Sequence, residues 1–99
     1  MEAKMNNLTV WLEETRPEVL KAFFDKVLSK SGFGVLNKTE HYFEPQGYTC
    51  LWLLSESHLA IHTFPEDGKT YVELSSCVDK PYYEFSARLT KARENGKII

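Results

Sequence analysis

The chain has 99 residues, of which 42% are hydrophobic, 26% charged and 13% aromatic, a balance typical of one folded domain. Its net charge of −2, from 12 basic and 14 acidic residues, argues against a nucleic-acid partner. The sequence shows no membrane-span-like apolar run, no signal-peptide stretch in Met1–Asn7, and two cysteines, Cys50 and Cys77, too few for a disulfide scaffold. We therefore expect one domain over residues 1–99, in the cytoplasm and with reduced thiols.

The first third of the chain predicts a strand followed by an amphipathic helix. Residues Leu8–Leu12 alternate weakly in polarity, which indicates a short strand. Thr15 and Glu18 have the spacing of a capping box, and Gly32 is a typical helix stop, so the pattern predicts a helix over 16–31. The apolar residues at helical spacing are Leu20, Phe23, Phe24, Val27 and Leu28.

The middle of the chain predicts three further strands. Two of them, 34–43 and 48–54, flank a Pro- and Gly-containing turn, and a third covers 70–77 after the Asp67-Gly68 turn signal. Both faces of 48–54 are largely apolar, so we expect this strand to be covered on both sides. Residues 55–66 have no assignable period and are interpreted as a compact loop.

The last element is a helix predicted over 80–93, with Asp79 as its cap. The resulting order, β-α-β-β-loop-β-α, predicts an α+β two-layer sandwich with a four-stranded antiparallel sheet and both helices on one face. The other face of the sheet is then apolar and open, which usually marks an interface. Because so small a domain has little room for an enclosed pocket, we expect an enzyme of this length to work as a dimer.

The segment from Leu54 to Glu66 concentrates two serines, two histidines and two carboxylates between strands. His58 and His62 have a spacing seen in helical zinc sites, but Leu59 stands where a zinc protease has its glutamate, and we expect no metal centre. A serine hydrolase is disfavoured because the chain has no Gly-x-Ser-x-Gly motif.

The same segment, Leu-Ser-Glu-Ser-His-Leu-Ala-Ile-His-Thr-Phe-Pro-Glu, closely resembles the self-processing segment of prokaryotic S-adenosylmethionine decarboxylases. The family pattern is approximately Glu-Ser-His-x-x-Ile-His-Thr-Trp-Pro-Glu. Tyr42–Gly47 resembles the family's Phe-x-Pro-x-Gly turn, and Cys77 follows Ser57 at the family's spacing. The resemblance implies a homodimer that packs sheet against sheet in a four-layer αββα arrangement, with its sites at the interface.

The resemblance further implies that the chain cuts itself between Glu56 and Ser57, into residues 1–56 and 57–99. The hydroxyl of Ser57 would attack the preceding carbonyl, and the serine would end as a covalent pyruvoyl cofactor. Such a group is an electron sink for amino-acid decarboxylation, comparable to pyridoxal phosphate.

Roles for further residues follow from the same resemblance. His62 maps onto the histidine that moves the proton during processing, and Thr49 maps onto an assisting hydroxyl that is more usually a serine. Cys77 maps onto the acid that protonates the product, a task to which a thiol is suited. Phe43 and Phe64 match positions that sandwich adenine, and stacking suits such a flat ligand.

Glu66 matches the carboxylate that holds the ribose hydroxyls, which completes the implied S-adenosylmethionine site. The leading hypothesis is therefore a pyruvoyl-dependent S-adenosylmethionine decarboxylase that supplies spermidine synthesis. An alternative hypothesis is a pyruvoyl-dependent decarboxylase of ornithine or arginine. It is motivated by Trp11, where an acidic residue is common in the family, and by Phe64, where tryptophan is usual. A third hypothesis is a non-processing homologue that acts as a binding or partner subunit.

Overall fold

A computed structural model of the protein describes residues 3–99, so Met1 and Glu2 of the predicted domain lie outside the described part. Its elements are β1 (Asn6–Leu12), α1 (Pro17–Ser31), β2 (Val35–Tyr42), β3 (Tyr48–Leu54), β4 (Ser57–Phe64), a 3-10 turn (Pro65–Asp67), β5 (Lys69–Ser76) and α2 (Asp79–Glu94). Both predicted helices and all the predicted strands are confirmed, with ends that differ by no more than two residues.

The strands form one antiparallel sheet in the order β1-β5-β4-β3-β2, so the prediction of four strands is wrong by one. The additional strand is β4, and the prediction of a compact loop over 55–66 is therefore also wrong. Its inward side begins with Ser57 and ends with Thr63, while its outward side carries His58 and His62. Polar residues on both sides hide the alternation that identifies a strand, although β4 is the middle strand of the sheet.

Both helices pack on one face of the sheet, as predicted, and the core lies between the two layers. Trp52 is fully buried there, and its indole N–H donates to the Asp25 carboxylate at 2.8 Å. Full burial of one large apolar side chain contributes about 1.5–3 kcal/mol. The fully buried side chains are Trp52, Tyr48, Phe24, Phe85, Leu12, Leu20, Leu28, Leu54, Leu59, Ile61, Leu74 and Val72. Neither helix is long and apolar enough to cross a membrane.

The start of α1 is stabilised differently from the prediction. The Thr15–Glu18 capping box does not form. Instead, the side chain of Glu14 accepts hydrogen bonds from backbone N–H groups at the start of the helix. The Glu14 carboxylate accepts from the backbone N–H of Thr15 at 3.1 Å and of Arg16 at 3.0 Å. The Arg16 guanidinium adds a hydrogen bond at 2.9 Å, and this bond lowers the pKa of Glu14 to about 2.

Of the other two predicted helix boundaries, the end of α1 is confirmed and the cap of α2 is not. Gly32 adopts a left-handed conformation with φ of 96° and ends α1, as predicted. Asp79 lies inside α2 rather than capping it, so that prediction is wrong. Its carboxylate accepts from the Asn6 side chain at 2.9 Å, which ties the first turn of α2 to β1.

The outer face of the sheet is open in a single chain. Leu51 and Leu53 of β3 point outward and are 46% and 53% exposed, so the prediction that β3 is covered on both sides does not hold within one chain. Trp11 of β1 and Phe64 of β4 are also exposed on this face. We refer to this surface, formed by outward residues of β1, β3, β4 and β5, as the outer face. It is the exposed apolar patch that the sequence predicts.

Candidate functional site

A cleft at one end of the outer face gathers most of the predicted binding residues. It has a volume of about 370 Å³ and is lined by Phe43, Gln46, Gly47, Thr49, His62, Thr63, Phe64 and Glu66. Five of these eight residues are predicted site residues, namely Phe43, Thr49, His62, Phe64 and Glu66. They come from β3, β4 and the turns beside them. We refer to this group as the cleft cluster.

Thr49 and His62 form the polar centre of the cleft cluster. They are cross-strand neighbours on β3 and β4, and the Thr49 hydroxyl shares a hydrogen bond of 2.9 Å with Nδ1 of His62. The imidazole also lies near the Tyr71 ring, with centroids 6.5 Å apart. These contacts fix the ring while the other imidazole nitrogen stays available, as a proton carrier requires.

Two aromatic rings and one carboxylate complete the cleft. Phe43 and Phe64 are both exposed at its wall, and Glu66 follows in the 3-10 turn after β4. Gly47 has φ of 113°, and a Cβ there would lie 3.5 Å from Cβ of Phe43, so a glycine keeps the turn tight against the ring. Exposed rings that face the same cleft suit a flat aromatic ligand, and the carboxylate suits a hydroxylated one.

A second cluster, which we call the cleavage cluster, surrounds the peptide bond between Glu56 and Ser57. The thiol of Cys77 donates to the Glu56 carbonyl oxygen at 3.1 Å, and the Cys77 backbone N–H points to the same oxygen at 3.5 Å. The Ser57 hydroxyl is buried and donates to the Ser76 hydroxyl at 2.7 Å. Two donors on one carbonyl and a hydroxyl next to it are what an acyl transfer at this bond requires.

The backbone is strained at this same peptide bond. Glu56 is the second central residue of the tight β3–β4 turn and has φ of 58°. Among residues 3–99 it is the one non-glycine residue with a positive φ, at a position that favours glycine or asparagine. Such conformations store of the order of 1 kcal/mol and concentrate at functional sites.

This strain predicts the effect of a glycine at position 56. In an uncut Ser57→Ala chain, Glu56→Gly is expected to raise the free energy of unfolding by about 0.5–1 kcal/mol, because glycine adopts positive φ without steric cost. Chemical denaturation measures the change. The matched control is Ser55→Gly in the same turn, which should lower stability, since Ser55 has no positive φ to relieve. A loss of stability in both variants would contradict the assignment.

The two clusters lie apart within one chain. Ser57 begins β4 and His62 lies five residues later, so the rise of a strand separates them by about 16 Å. They also face opposite sides of the sheet, because Ser57 points to the helices and His62 points outward. Ser57 and His62 therefore lie not together in one compact loop, as predicted, but in two separate clusters at the two ends of β4.

The alternative sites considered for this segment find no support in the geometry. His58 and His62 share the outer face of a strand, about 13 Å apart rather than on one helix turn. No group of three or more metal-ligand residues occurs within 3–99. Ser57 has a serine rather than a histidine as its hydrogen-bond partner, unlike the nucleophile of a serine hydrolase.

The two cysteines differ in their surroundings. Cys50 is fully buried in the core, and this burial raises the pKa of its thiol, so Cys50 stays protonated and unreactive. Cys77 is partly exposed and contacts the Glu56 carbonyl. Proton transfer to a ligand is therefore open to Cys77 alone of the pair.

Ser76 is the residue of the cleavage cluster that the sequence analysis misses. It is fully buried and pairs directly with Ser57 across β4 and β5. In the sequence it is one of two adjacent serines at the end of a strand, which is unremarkable. Its position is recognisable only from the strand register, once β4 is known to be a strand.

Comparisons with known proteins agree with the resemblance described above. A family model described as S-adenosylmethionine decarboxylase matches residues 13–95. The chain is 38% identical over 78 residues to the S-adenosylmethionine decarboxylase proenzyme of Prochlorococcus marinus (strain MIT 9313), which covers 79% of this chain and 62% of that one. It is 44% identical over 57 residues to the proenzyme of Geobacillus kaustophilus (strain HTA426), covering 58% and 45%. The chain thus spans less than two thirds of the length of these curated relatives.

A solved structure shares the fold. The crystal structure of the adenosylmethionine decarboxylase from Aquifex aeolicus VF5 matches with a TM-score of 0.73 over 88% of this chain and 78% of that one, at 21% sequence identity. At this identity the likeness establishes the α+β fold, with its antiparallel sheet and helices on one face.

Proposed function

The chain belongs to the S-adenosylmethionine decarboxylase family, and from this premise we propose that it cuts itself between Glu56 and Ser57 and then decarboxylates S-adenosylmethionine. The observation that carries the proposal is the pair of donors from Cys77 to the Glu56 carbonyl oxygen, at 3.1 and 3.5 Å. The end of an ordinary strand does not require two hydrogen-bond donors on one carbonyl oxygen, with a buried serine hydroxyl and a strained peptide bond beside them.

The cleavage follows from these contacts. The Ser57 oxygen forms a bond to the Glu56 carbonyl carbon, the C–N bond breaks, and the hydroxyl proton ends on the nitrogen, which leaves an ester. The two donors from Cys77 stabilise the negative charge that the carbonyl oxygen carries during the attack. Elimination then removes the Cα proton of residue 57, breaks the Cβ–Oγ bond and forms a Cα=Cβ double bond, which leaves dehydroalanine at residue 57 and Glu56 as a carboxylate. Water enters, ammonia departs, and residue 57 ends as a pyruvoyl group.

The cleavage cluster fits a pyruvoyl group at residue 57. The position is buried against the helices, and the Cys77 thiol lies beside it. When present, this group supplies a carbonyl that takes up the substrate amine and accepts the electron pair left by departing carbon dioxide. The thiol of Cys77 holds the proton that replaces the lost carboxylate. Such a thiol must stay reduced, which favours a cytoplasmic protein.

The cleft cluster is proposed to bind the nucleoside part of the substrate. Phe43 and Phe64 stack on the adenine ring, and the Glu66 carboxylate accepts hydrogen bonds from the ribose hydroxyls. The Phe64 ring is backed by Trp11, whose ring centroid lies 6.0 Å away. The larger aromatic surface offsets the smaller ring of phenylalanine at position 64, and it favours an adenine-containing substrate over ornithine or arginine.

A homodimer unites the two clusters. In this dimer the outer faces of two chains pack together about 10 Å apart, with their β4 strands antiparallel across a two-fold axis. The His62 end of one β4 strand then lies over the Ser57 end of the other. This packing covers the exposed Leu51 and Leu53 and gives the four-layer αββα arrangement. The partner's His62, held in place by the hydroxyl of Thr49, then moves protons at the Glu56–Ser57 bond, which it reaches at the β3–β4 turn that ends the sheet.

The test of the proposed function is release of labelled carbon dioxide. We expect purified protein to release it from carboxyl-labelled S-adenosylmethionine and not from ornithine or arginine, since the cleft offers stacking surfaces for adenine. The product is the aminopropyl donor for spermidine. Activity on ornithine or arginine alone would show that the chain decarboxylates that amino acid instead. A folded, uncut protein without activity would favour a role as a binding or partner subunit.

The stacking role of Phe64 gives a more specific expectation. Phe64→Ala should raise KM for S-adenosylmethionine about tenfold or more with a smaller change in kcat, because one base–aromatic stack is worth about 1–3 kcal/mol. Phe64→Trp should retain a KM near that of the unaltered protein. Steady-state kinetics on fully cleaved preparations separate binding from processing. An unchanged KM in Phe64→Ala would contradict the assignment of the adenine site.

A further inference from the structure

We propose that Ser76 is a positioning residue that holds the Ser57 hydroxyl in the orientation from which it attacks the Glu56 carbonyl. The inference rests on the proposed function, because it concerns the same cleavage. Ser57 and Ser76 are directly opposite in the register of β4 and β5, and their hydroxyl oxygens are 2.7 Å apart. Their exposed fractions are 6% and 0%, so water does not compete for this hydrogen bond.

The direction of this hydrogen bond is set by the backbone around Ser76. The Ser76 oxygen accepts from the Val78 N–H at 3.1 Å, and its own proton is donated to the Val78 carbonyl at 3.3 Å. With its one proton committed, Ser76 acts toward Ser57 as an acceptor. Ser57 is therefore the donor, and the lone pairs of its oxygen stay free for attack.

The same contacts limit the Ser57 side chain to one orientation. Among residues 3–99, its hydroxyl makes one side-chain hydrogen bond, the bond to Ser76. Without that acceptor the hydroxyl is free to occupy other staggered rotamers. Attack requires one orientation of the oxygen relative to the Glu56 carbonyl carbon, and loss of orientation slows intramolecular reactions strongly.

Ser76 takes no part in the bond changes themselves. In the first step the bond from the Ser57 oxygen to the Glu56 carbon forms, the peptide C–N bond breaks, and one proton passes from oxygen to nitrogen. Ser76 gains and loses no atom or electron pair. Its removal should therefore slow formation of the ester and leave the later elimination unaffected.

The experiment compares cleavage rates in full-length chains made by in vitro translation. Ser76→Ala is expected to cut about 10- to 100-fold more slowly than the unaltered chain, whereas Ser76→Thr, which keeps the hydroxyl, should cut at a similar rate. The matched control is Ser75→Ala, since Ser75 is buried and adjacent but bonds to Asn7 at 2.6 Å. Circular dichroism melting shows whether each variant is folded.

Hydroxylamine, which cleaves esters, identifies the step that is slowed. We expect it to release no additional fragments from Ser76→Ala, because the ester forms slowly and is consumed by the unaffected elimination before it accumulates. If Ser76→Ala does not fold, the near-isosteric Ser76→Cys, a weaker acceptor, takes its place with the same slow cleavage expected. Normal cleavage of a folded Ser76→Ala or Ser76→Cys chain overturns the inference. Cleavage of Ser75→Ala that is slowed as much as that of Ser76→Ala also overturns it. An uncut unaltered chain overturns the proposed function and this inference with it.

Discussion

Chains that carry His62→Ala and chains that carry Cys77→Ala are expected to be inactive separately and active when co-expressed. His62 belongs to the cleft cluster and Cys77 to the cleavage cluster, and the two clusters face opposite sides of the sheet. If each working site combines the cleft cluster of one chain with the cleavage cluster of its partner, a mixed dimer contains one intact site and one doubly altered site.

The size of the recovered activity follows from random pairing. Half of the dimers are mixed, each with one of two sites intact, so decarboxylation should recover to about a quarter of the unaltered level. The cleavage pattern provides a second readout. Only the His62→Ala chain should be cut in the mixed dimer, because its Ser57 lies opposite the partner's intact His62. Two affinity tags of different mass identify which chain is cut.

A matched pair distinguishes shared sites from general stabilisation by a partner. His62→Ala combined with Glu66→Ala places both changes in the cleft cluster, so no mixed dimer holds an intact site. The activity of this mixture should not exceed that of the Glu66→Ala chain alone. No recovery in the first mixture, although mixed dimers form, would show that each chain carries its whole site. Recovery in the control would show that a partner restores activity without sharing a site.

Ser57→Ala is expected to leave the chain uncut and without decarboxylase activity. Alanine has no oxygen to attack the Glu56 carbonyl, and without that attack no pyruvoyl group forms. The expected effect is complete because both activities depend on one atom. Denaturing electrophoresis should show one chain of 11.5 kDa, whereas the unaltered protein is expected to give two fragments.

The control for this variant lies two residues earlier. Ser55→Ala changes an exposed serine of the same turn and should be cut at the normal rate. The fold of Ser57→Ala should also persist, since Ser57 contributes one hydrogen bond to a core built from large apolar residues. Fragments from Ser57→Ala would place the reacting atom elsewhere.

The helices and the open sheet face are predictable from the sequence because their signals are local. Leu20, Phe24 and Leu28 recur at helical spacing and are all fully buried, and Gly32 ends α1 in the conformation that glycine favours. The open face is predicted because both helices lie on one side of the sheet, whereas the sequence of β3 is apolar on both sides. Each of these patterns lies within a single element and depends little on what packs against it.

The middle strand and the helix starts are not predictable in the same way. β4 has polar residues on both sides, with Ser57 and Thr63 inward and His58 and His62 outward, so the polarity of its sequence does not follow burial. The start of α1 shows a competition between two equally plausible groups. The Glu14 carboxylate binds the backbone there, rather than the predicted Thr15–Glu18 pair, because the Arg16 guanidinium keeps it charged and in position.

The candidate residues are recognisable from their joint spacing, but their arrangement is not. Ser57 and His62 are close in sequence, which suggests direct contact, and a strand converts this spacing into a separation of about 16 Å and opposite faces. Ser76 is distant in sequence and becomes the neighbour of Ser57 only through the β4–β5 register. Long-range pairing of strands determines both results, and no local pattern reports it.

The intact mass of the purified, unaltered protein tests the central claim most directly. Self-cleavage with formation of a pyruvoyl group predicts two fragments, 1–56 and 57–99, and the second should be lighter than a fragment with an N-terminal serine by the mass of one ammonia. Reaction with a carbonyl reagent should label that fragment alone. A single uncut chain, or a 57–99 fragment that begins with serine, would contradict the account.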